Sequence, residues 1–312
     1  MHFKGLVRLS HAPLALAYWA GAAGTRLRAG MSPRILMWHG IPRRLAAQFE
    51  RQLRYLRRQF DVVSLGALAD ALHEGGAAAA GKVALTFDDG LRNNVSVAYP
   101  ILRKLGLPAT FFVCPALADT GRWLWNQEMR QRLSRLDAAP LERLARALGL
   151  PQARAEEIIG WMKALPLAER RRVEQQVRAA TRGFAPSEEE REQFDVAGWN
   201  DLAALDPQVI TIGSHTLTHP ILPSLPPEEL EREVGASRRE LEARLQRPVD
   251  LFAYPNGDQN AAVRDCARRH YRVAVTASPS EVGPECDPHL LPREAAPPGA
   301  VRLAWAMHRL PN

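Results

Sequence analysis

The sequence has little cysteine and no long apolar run, and each shortage excludes something. Three cysteines, Cys114, Cys266 and Cys286, are spread over 312 residues. An odd, sparse set gives no disulfide framework and fits a reducing compartment. None stands in a C-x-x-C pair, which argues against a cysteine-ligated zinc, and each reads as a small core or surface residue. No uninterrupted apolar stretch is long enough to cross a bilayer. A basic stripe with interleaved aromatics, the mark of a nucleic-acid binder, is also missing. The formal charge of +7 therefore points to anionic surroundings such as an acidic glycan or lipid headgroups, or to the solvated faces of arginine-rich helices.

Residues 1–30 read as a separate segment. Lys4 and Arg8 precede an apolar stretch from 12 to 24 that contains Tyr18 and Trp19, and Arg26 and Arg28 follow it. This is a weak match to a secretory signal and reads as a short helix, lying on a membrane surface or packed on the domain. The expectation is a cytoplasmic protein, with peripheral membrane association through this segment.

What is present is an alternation of short apolar runs and amphipathic stretches. Strand-like runs fall at 34–39, 60–63, 83–87, 109–113, 209–213, 251–254, 271–276 and 290–293. Helical patterns lie between them. Leu45, Phe49, Leu53 and Leu56 share a face, Ser64 is a natural N-cap, and Pro226 or Pro227 opens a helix that runs to Leu245. From about 119 to 194 strand-like runs disappear and Leu, Ala, Arg and Glu dominate. Three or four helices are expected there, broken near 149–151, at Pro166 and near 183–186. The fold class is α/β: a distorted or incomplete (β/α) barrel of about seven strands over 31–312, with a helical insertion.

In such a barrel chemistry sits at the C-terminal ends of the strands. Here those ends carry His39, Asp88-Asp89, His215 with His219, Tyr254 and Arg293. His215-x-x-x-His219 brings two imidazoles to one side of a turn, and with a carboxylate from Asp88-Asp89 they make an open site for a divalent metal. Taken alone, the histidine pair reads rather as two surface residues before Pro220. No glutamate follows His215, so the H-E-x-x-H protease pattern is excluded. One aspartate binds the ion and the other takes a proton from water; His39 suits the acid by type. The backbone N–H near Tyr254 is a candidate for holding an oxyanion. Arg293 either orients the free aspartate or forms a rim salt bridge. Trp123 and Trp125, at the entrance to the insertion, are either a sugar-stacking platform or core anchors.

These residues resemble the motifs of the polysaccharide deacetylase family, carbohydrate esterase family four, with its NodB homology domain. Thr86-Phe87-Asp88-Asp89-Gly90 is similar to the first motif and Ser214-His215-Thr216-Leu217-Thr218-His219 to the second. The resemblance implies Asp88 as general base and Asp89, His215 and His219 as ligands to a divalent metal, Zn²⁺ first, with Co²⁺, Ni²⁺, Fe²⁺ or Mn²⁺ as alternatives. It also implies an N-acetylated glycan as substrate and no nucleic-acid partner. Two departures stand out. Ala253 occupies the place of the third motif's arginine, which makes Arg293 its candidate replacement, and no Leu-x-His motif is evident near the C-terminus, where Met307-His308 lies too close to the end. Leu36-Met37-Trp38-His39 resembles the first strand of a circularly permuted branch that deacetylates biofilm and exopolysaccharide poly-N-acetylglucosamine, which makes His39 the acid. The expected activity is removal of N-acetyl groups from an amino sugar or polysaccharide. An O-acetyl esterase, a small-amide deacylase or an inactive glycan-binding protein on the same scaffold are the alternatives.

Overall fold

The computed structural model describes residues 32–150 and 154–308. The 1–30 segment lies outside the described residues. Eight strands form one parallel sheet: β1 (Arg34–Trp38), β2 (Asp61–Val63), β3 (Lys82–Phe87), β4 (Ala109–Val113), β5 (Ile210–Ser214), β6 (Leu251–Ala253), β7 (Val273–Val275) and β8 (Glu294–Ala295). Their order is β7-β6-β5-β4-β3-β1-β8. β2 pairs with the first half of β3, through Lys82 to Ala84, and β4 with the second half, at Thr86 and Phe87. The stretch from Leu291 to Ala295 bridges the two ends of the path. Leu291 pairs with Val275 on β7, and Glu294 and Ala295 pair with Leu36 and Met37 on β1. The sheet is thus curled into a distorted β/α barrel.

Strand alternation sorts side chains onto two faces. Val83, Leu85 and Phe87 pack with Leu53, Leu56 and Leu102 from the surrounding helices Ala46–Gln59 and Tyr99–Leu105. Ala84 points the other way. It joins Ile35, Phe112, Leu251, Ala253, Val273 and Val275 in an inner cluster, with Leu65 and Leu68 of the helix Leu65–Glu74 beneath. Gly213 has no alternative here, because a Cβ would lie 2.5 Å from the Phe112 ring. By the same alternation Thr86 and Asp88 follow Ala84 on the inner face, and Met37 and His39 follow Ile35.

Pro100, between β3 and β4, is accommodated by a wide turn. Asn94–Ala98 closes as a π-helix, the Tyr99 N–H reaching back to the Asn94 carbonyl, and the α-helix starts only at Tyr99. The insertion holds five helices rather than three or four: Trp125–Ser134, Ala138–Ala147, Ala155–Ala164, Leu167–Ala180 and Glu188–Phe194. The break at Arg135-Leu136-Asp137 contains neither glycine nor proline, so sequence punctuation does not reveal it. These helices have a core of their own, including Trp125, Met129, Leu133, Ile158, Ile159, Met162 and Val177. The returning chain pairs with the loop after β3: the Arg92 N–H donates to the Asp195 carbonyl at 2.7 Å and the Ala197 N–H to the Gly90 carbonyl at 2.8 Å.

Candidate metal and catalytic centre

The loop after β3 opens with two left-handed residues, Asp89 (φ 74°) and Gly90 (φ 64°). A side chain at 90 would crowd Val113 at 3.2–3.3 Å, which explains the glycine. Asp89 holds a conformation that costs an L-residue about 1–2 kcal/mol. Thr216 (φ 67°) and His219 (φ 58°) share this state. Among the described residues, three of the five non-glycine residues with positive φ thus lie in two facing loops, and such strain gathers where side chains must be aimed. The His219 N–H donates to Thr216 Oγ1 at 3.0 Å, which closes the turn.

The result is convergence. His215 Nε2 and His219 Nε2 each lie 3.7 Å from Asp89 Oδ1, and the three residues are buried. The Ala253 carbonyl lies 2.7 Å from His215 Nδ1. A carbonyl accepts only, so Nδ1 carries a hydrogen and Nε2 is the ring nitrogen that faces Asp89. Burial, with the nearby His215, holds His219 well below the usual imidazole range and hence neutral. Burial pushes the Asp89 carboxyl up; the charges of His39 and His215 oppose the rise, Asp88 adds to it, and Gln127 donates to Oδ2 at 3.3 Å. Two imidazoles and a buried carboxylate form a donor set that fits a divalent ion. Donors about 2.0–2.2 Å from one ion sit roughly 3–4 Å apart, as these do.

Asp88 faces a different partner. Arg293 Nη1 donates to its Oδ1 at 2.6 Å and Nη2 to its Oδ2 at 2.7 Å. The guanidinium is itself fixed, with Nε on the Thr276 carbonyl at 2.8 Å, Nη1 on Thr86 Oγ1 at 3.1 Å, and its carbon 5.4 Å from the Phe112 ring centroid. Burial alone would raise the Asp88 pKa, but the Arg293 charge and hydrogen bonds, with the His215 and His39 charges, outweigh it and hold the carboxyl well below the usual range. Arg293 thus forms a buried, bidentate pair with Asp88 rather than an exposed salt bridge. His39 follows β1, whose register sets Trp38 against Phe87, and the Asp88 N–H donates to the Trp38 carbonyl at 2.9 Å. His39 is exposed at the end of this pair.

Three expected residues are placed elsewhere. Tyr254 follows Ala253 and so takes the outer face. It is fully buried in the core, its OH donates to the His289 carbonyl at 3.0 Å and its N–H to the Val275 carbonyl at 3.2 Å. Neither group faces the site, which corrects the oxyanion and substrate-binding expectation. Trp123 packs against Phe184 and Phe194 and donates to Asp195 Oδ1 at 2.8 Å, an anchor of the insertion. Trp125 is also buried, and its Nε1 donates to the His219 carbonyl at 3.2 Å. Both rings are held by these contacts, and both also line a cavity beside the barrel rim. Gln127 and Glu233 were not foreseen. Glu233 is completely buried and accepts from the Thr218 N–H at 2.9 Å and hydroxyl at 2.7 Å, so it holds the histidine loop from below. One glutamate among the several of this helical stretch gives no sequence signal for that task.

The sequence pattern described as Polysaccharide deacetylase matches residues 75–145 and 170–274, more than half of the chain. No curated protein matches it by sequence. Among solved structures, the Streptococcus pyogenes deacetylase PplD in complex with acetate has a TM-score of 0.61 at 18% identity, covering 89% of this chain and 99% of that one. IcaB from Ammonifex degensii has a TM-score of 0.58 at 17% identity, with 89% and 97% covered. The deacetylase domain of BpsB from Bordetella bronchiseptica has 0.56 at 14%, with 86% and 97% covered. At these identities the structures establish a shared fold.

Proposed function

This chain belongs to the polysaccharide deacetylase family, hydrolases of the amide bond in acetylated sugars, and we propose that it uses a divalent metal to remove N-acetyl groups from an amino-sugar glycan of exopolysaccharide or cell-envelope metabolism. The observation that carries the reading is the convergence of Asp89, His215 and His219 beside an aspartate clamped by arginine. Asp89, His215 and His219 would hold the ion, Zn²⁺ first by donor type, with Co²⁺, Ni²⁺, Fe²⁺ and Mn²⁺ compatible. Such an ion supplies a Lewis acid for the acyl oxygen and lowers the pKa of water.

The protein's own groups do the rest. Asp88 takes the proton of the attacking water. Arg293 lowers its basicity but keeps it ionised and in one orientation within a dry site. Trp125 and Glu233 fix the loop of His215 and His219, and Ala253 sets the His215 tautomer. His39, across the rim, gives a proton to the departing amine. The substrate is a glycan precursor met in the cytoplasm at a membrane face, a reading supported by the basic and apolar composition of residues 1–30.

The test is the metal content of the purified protein beside Asp89→Ala and His215→Ala, with acetate release measured on N-acetylglucosamine oligomers. One metal per chain, lost in both variants together with turnover, is expected. Metal without acetate release would shift the substrate to other acyl groups such as O-acetyl esters. Absence of metal after reconstitution would sink the hydrolase mechanism and leave a glycan-binding protein.

A further inference from the structure

Between the insertion and the barrel rim lies a cavity of about 290 Å³ that the chemistry above does not use. Its wall carries four arginines, Arg122, Arg170, Arg171 and Arg178, against one acid, Glu174. Arg178 is matched: its Nη2 reaches Glu128 Oε2 at 2.8 Å and Glu174 Oε2 at 3.3 Å. Arg170 is not. It is only 4% exposed, its guanidinium carbon lies 4.4 Å from the Trp125 ring centroid, and its Nε donates to Glu174 Oε1 at 3.2 Å. One carboxylate is therefore shared between two guanidinium groups, and Arg122 and Arg171 stand exposed at the mouth with further positive charge. The excess disfavours a cation and wastes its field on a neutral sugar. An arginine stacked on an aromatic ring is the arrangement that presents a planar fork to a carboxylate or phosphate.

The cavity also adjoins the catalytic rim. Trp125 is part of its wall and donates to the His219 carbonyl. Thr218, the residue before His219, lines it as well. An anion held there would be carried by the same molecule whose acetyl group lies at the centre.

Building on the deacetylase reading, we propose that this cavity is a subsite for an oxyanion of the substrate, a carboxylate or phosphate borne by a glycan residue neighbouring the one that is deacetylated. Glucuronate and inorganic pyrophosphate are the probes, measured by calorimetry on the metal-loaded enzyme and as inhibitors of acetate release from neutral N-acetylglucosamine oligomers. At least one should bind and compete. The exposed pair Arg122→Ala/Arg171→Ala should weaken that probe about tenfold or more while turnover of the neutral oligomer stays within about twofold. Arg170→Met, which keeps the packing on Trp125, should abolish probe binding. Binding of glucuronate alone assigns a carboxylate, and of pyrophosphate alone a phosphate. Two results would overturn the subsite: neither probe binding at millimolar concentration, or equal binding to wild type and both variants. Acetate release intact in the absence of probe binding would break only this inference. Probe binding that depends on these arginines, in a protein inert toward every acetylated glycan, would break the deacetylase reading instead.

Discussion

Two arginines of the described chain are almost completely buried, Arg293 at the barrel rim and Arg170 in the insertion, and their surroundings differ in stoichiometry. Arg293 meets one carboxylate that belongs to it alone, through two parallel hydrogen bonds, and Thr276 and Thr86 saturate much of what remains. Arg170 shares Glu174 with Arg178. A matched buried pair is a positioning device: its charge is spent internally and its direction is fixed. An under-matched buried arginine leaves field and donors directed at open space. The rim is built to hold Asp88 still, and the insertion is built to receive an anion.

The largest expected effect concerns what the rim arginine positions. Asp88→Ala should leave metal content near the wild-type value and cut kcat by about 10³ or more, the upper range for loss of a general base. Turnover at the wild-type rate would remove Asp88 from the chemistry. Next comes the contrast between the arginines. Arg293→Met strands a buried carboxylate and should cost about 3–5 kcal/mol of stability, seen as a lower Tm, with about a hundredfold loss of kcat. Arg170→Met strands nothing, because Glu174 keeps Arg178, and should cost about 1 kcal/mol or less. Equal losses in the two variants would erase the distinction. Smaller again is His39→Ala. It should slow amide cleavage by about 10² but ester cleavage by less than about tenfold, since an alkoxide needs less help than an amine. Equal slowing of both would take the acid role from His39.

These differences bear on what a sequence reveals. The strand ends were legible because short apolar runs announce themselves, and the convergence of Asp89, His215 and His219 because its spacing is local: Asp89 on one loop, the two histidines on another. The partner of Asp88 was not, since Arg293 lies 205 positions away and only barrel closure through Leu291 and β8 brings it back. Tyr254 shows the opposite failure. The information was in the chain, because alternation from Leu251 and Ala253 already sends the next residue outward, yet position at a strand end does not specify face. The insertion hid most. Its helices follow ordinary periodicity, so the buried Arg170, the tie from Trp125 to His219 and the break at 135–137 have no signature shorter than the tertiary structure itself.

The smallest effect tests whether the insertion's charges are structural where they are matched. Glu128 is 9% exposed and accepts from Arg132 Nε at 2.8 Å and from Arg178 Nε and Nη2 at 3.1 and 2.8 Å. Burial tends to raise its pKa, but the hydrogen bonds and charges of Arg178 and Arg132 prevail and hold it below the usual value. A carboxyl depressed in the folded state adds stability that is complete above its unfolded pKa, about 4.3, and is lost as pH falls through the folded one. Glu128→Gln should therefore be less stable than wild type by about 1–2 kcal/mol at neutral pH, and the gap in Tm should close as pH drops below about 4. A gap that stays constant down to pH 3 would mean that shape, not charge, holds this cluster. It would also weaken the contrast with Arg170, which depends on matched carboxylates in the insertion being bound by their charge.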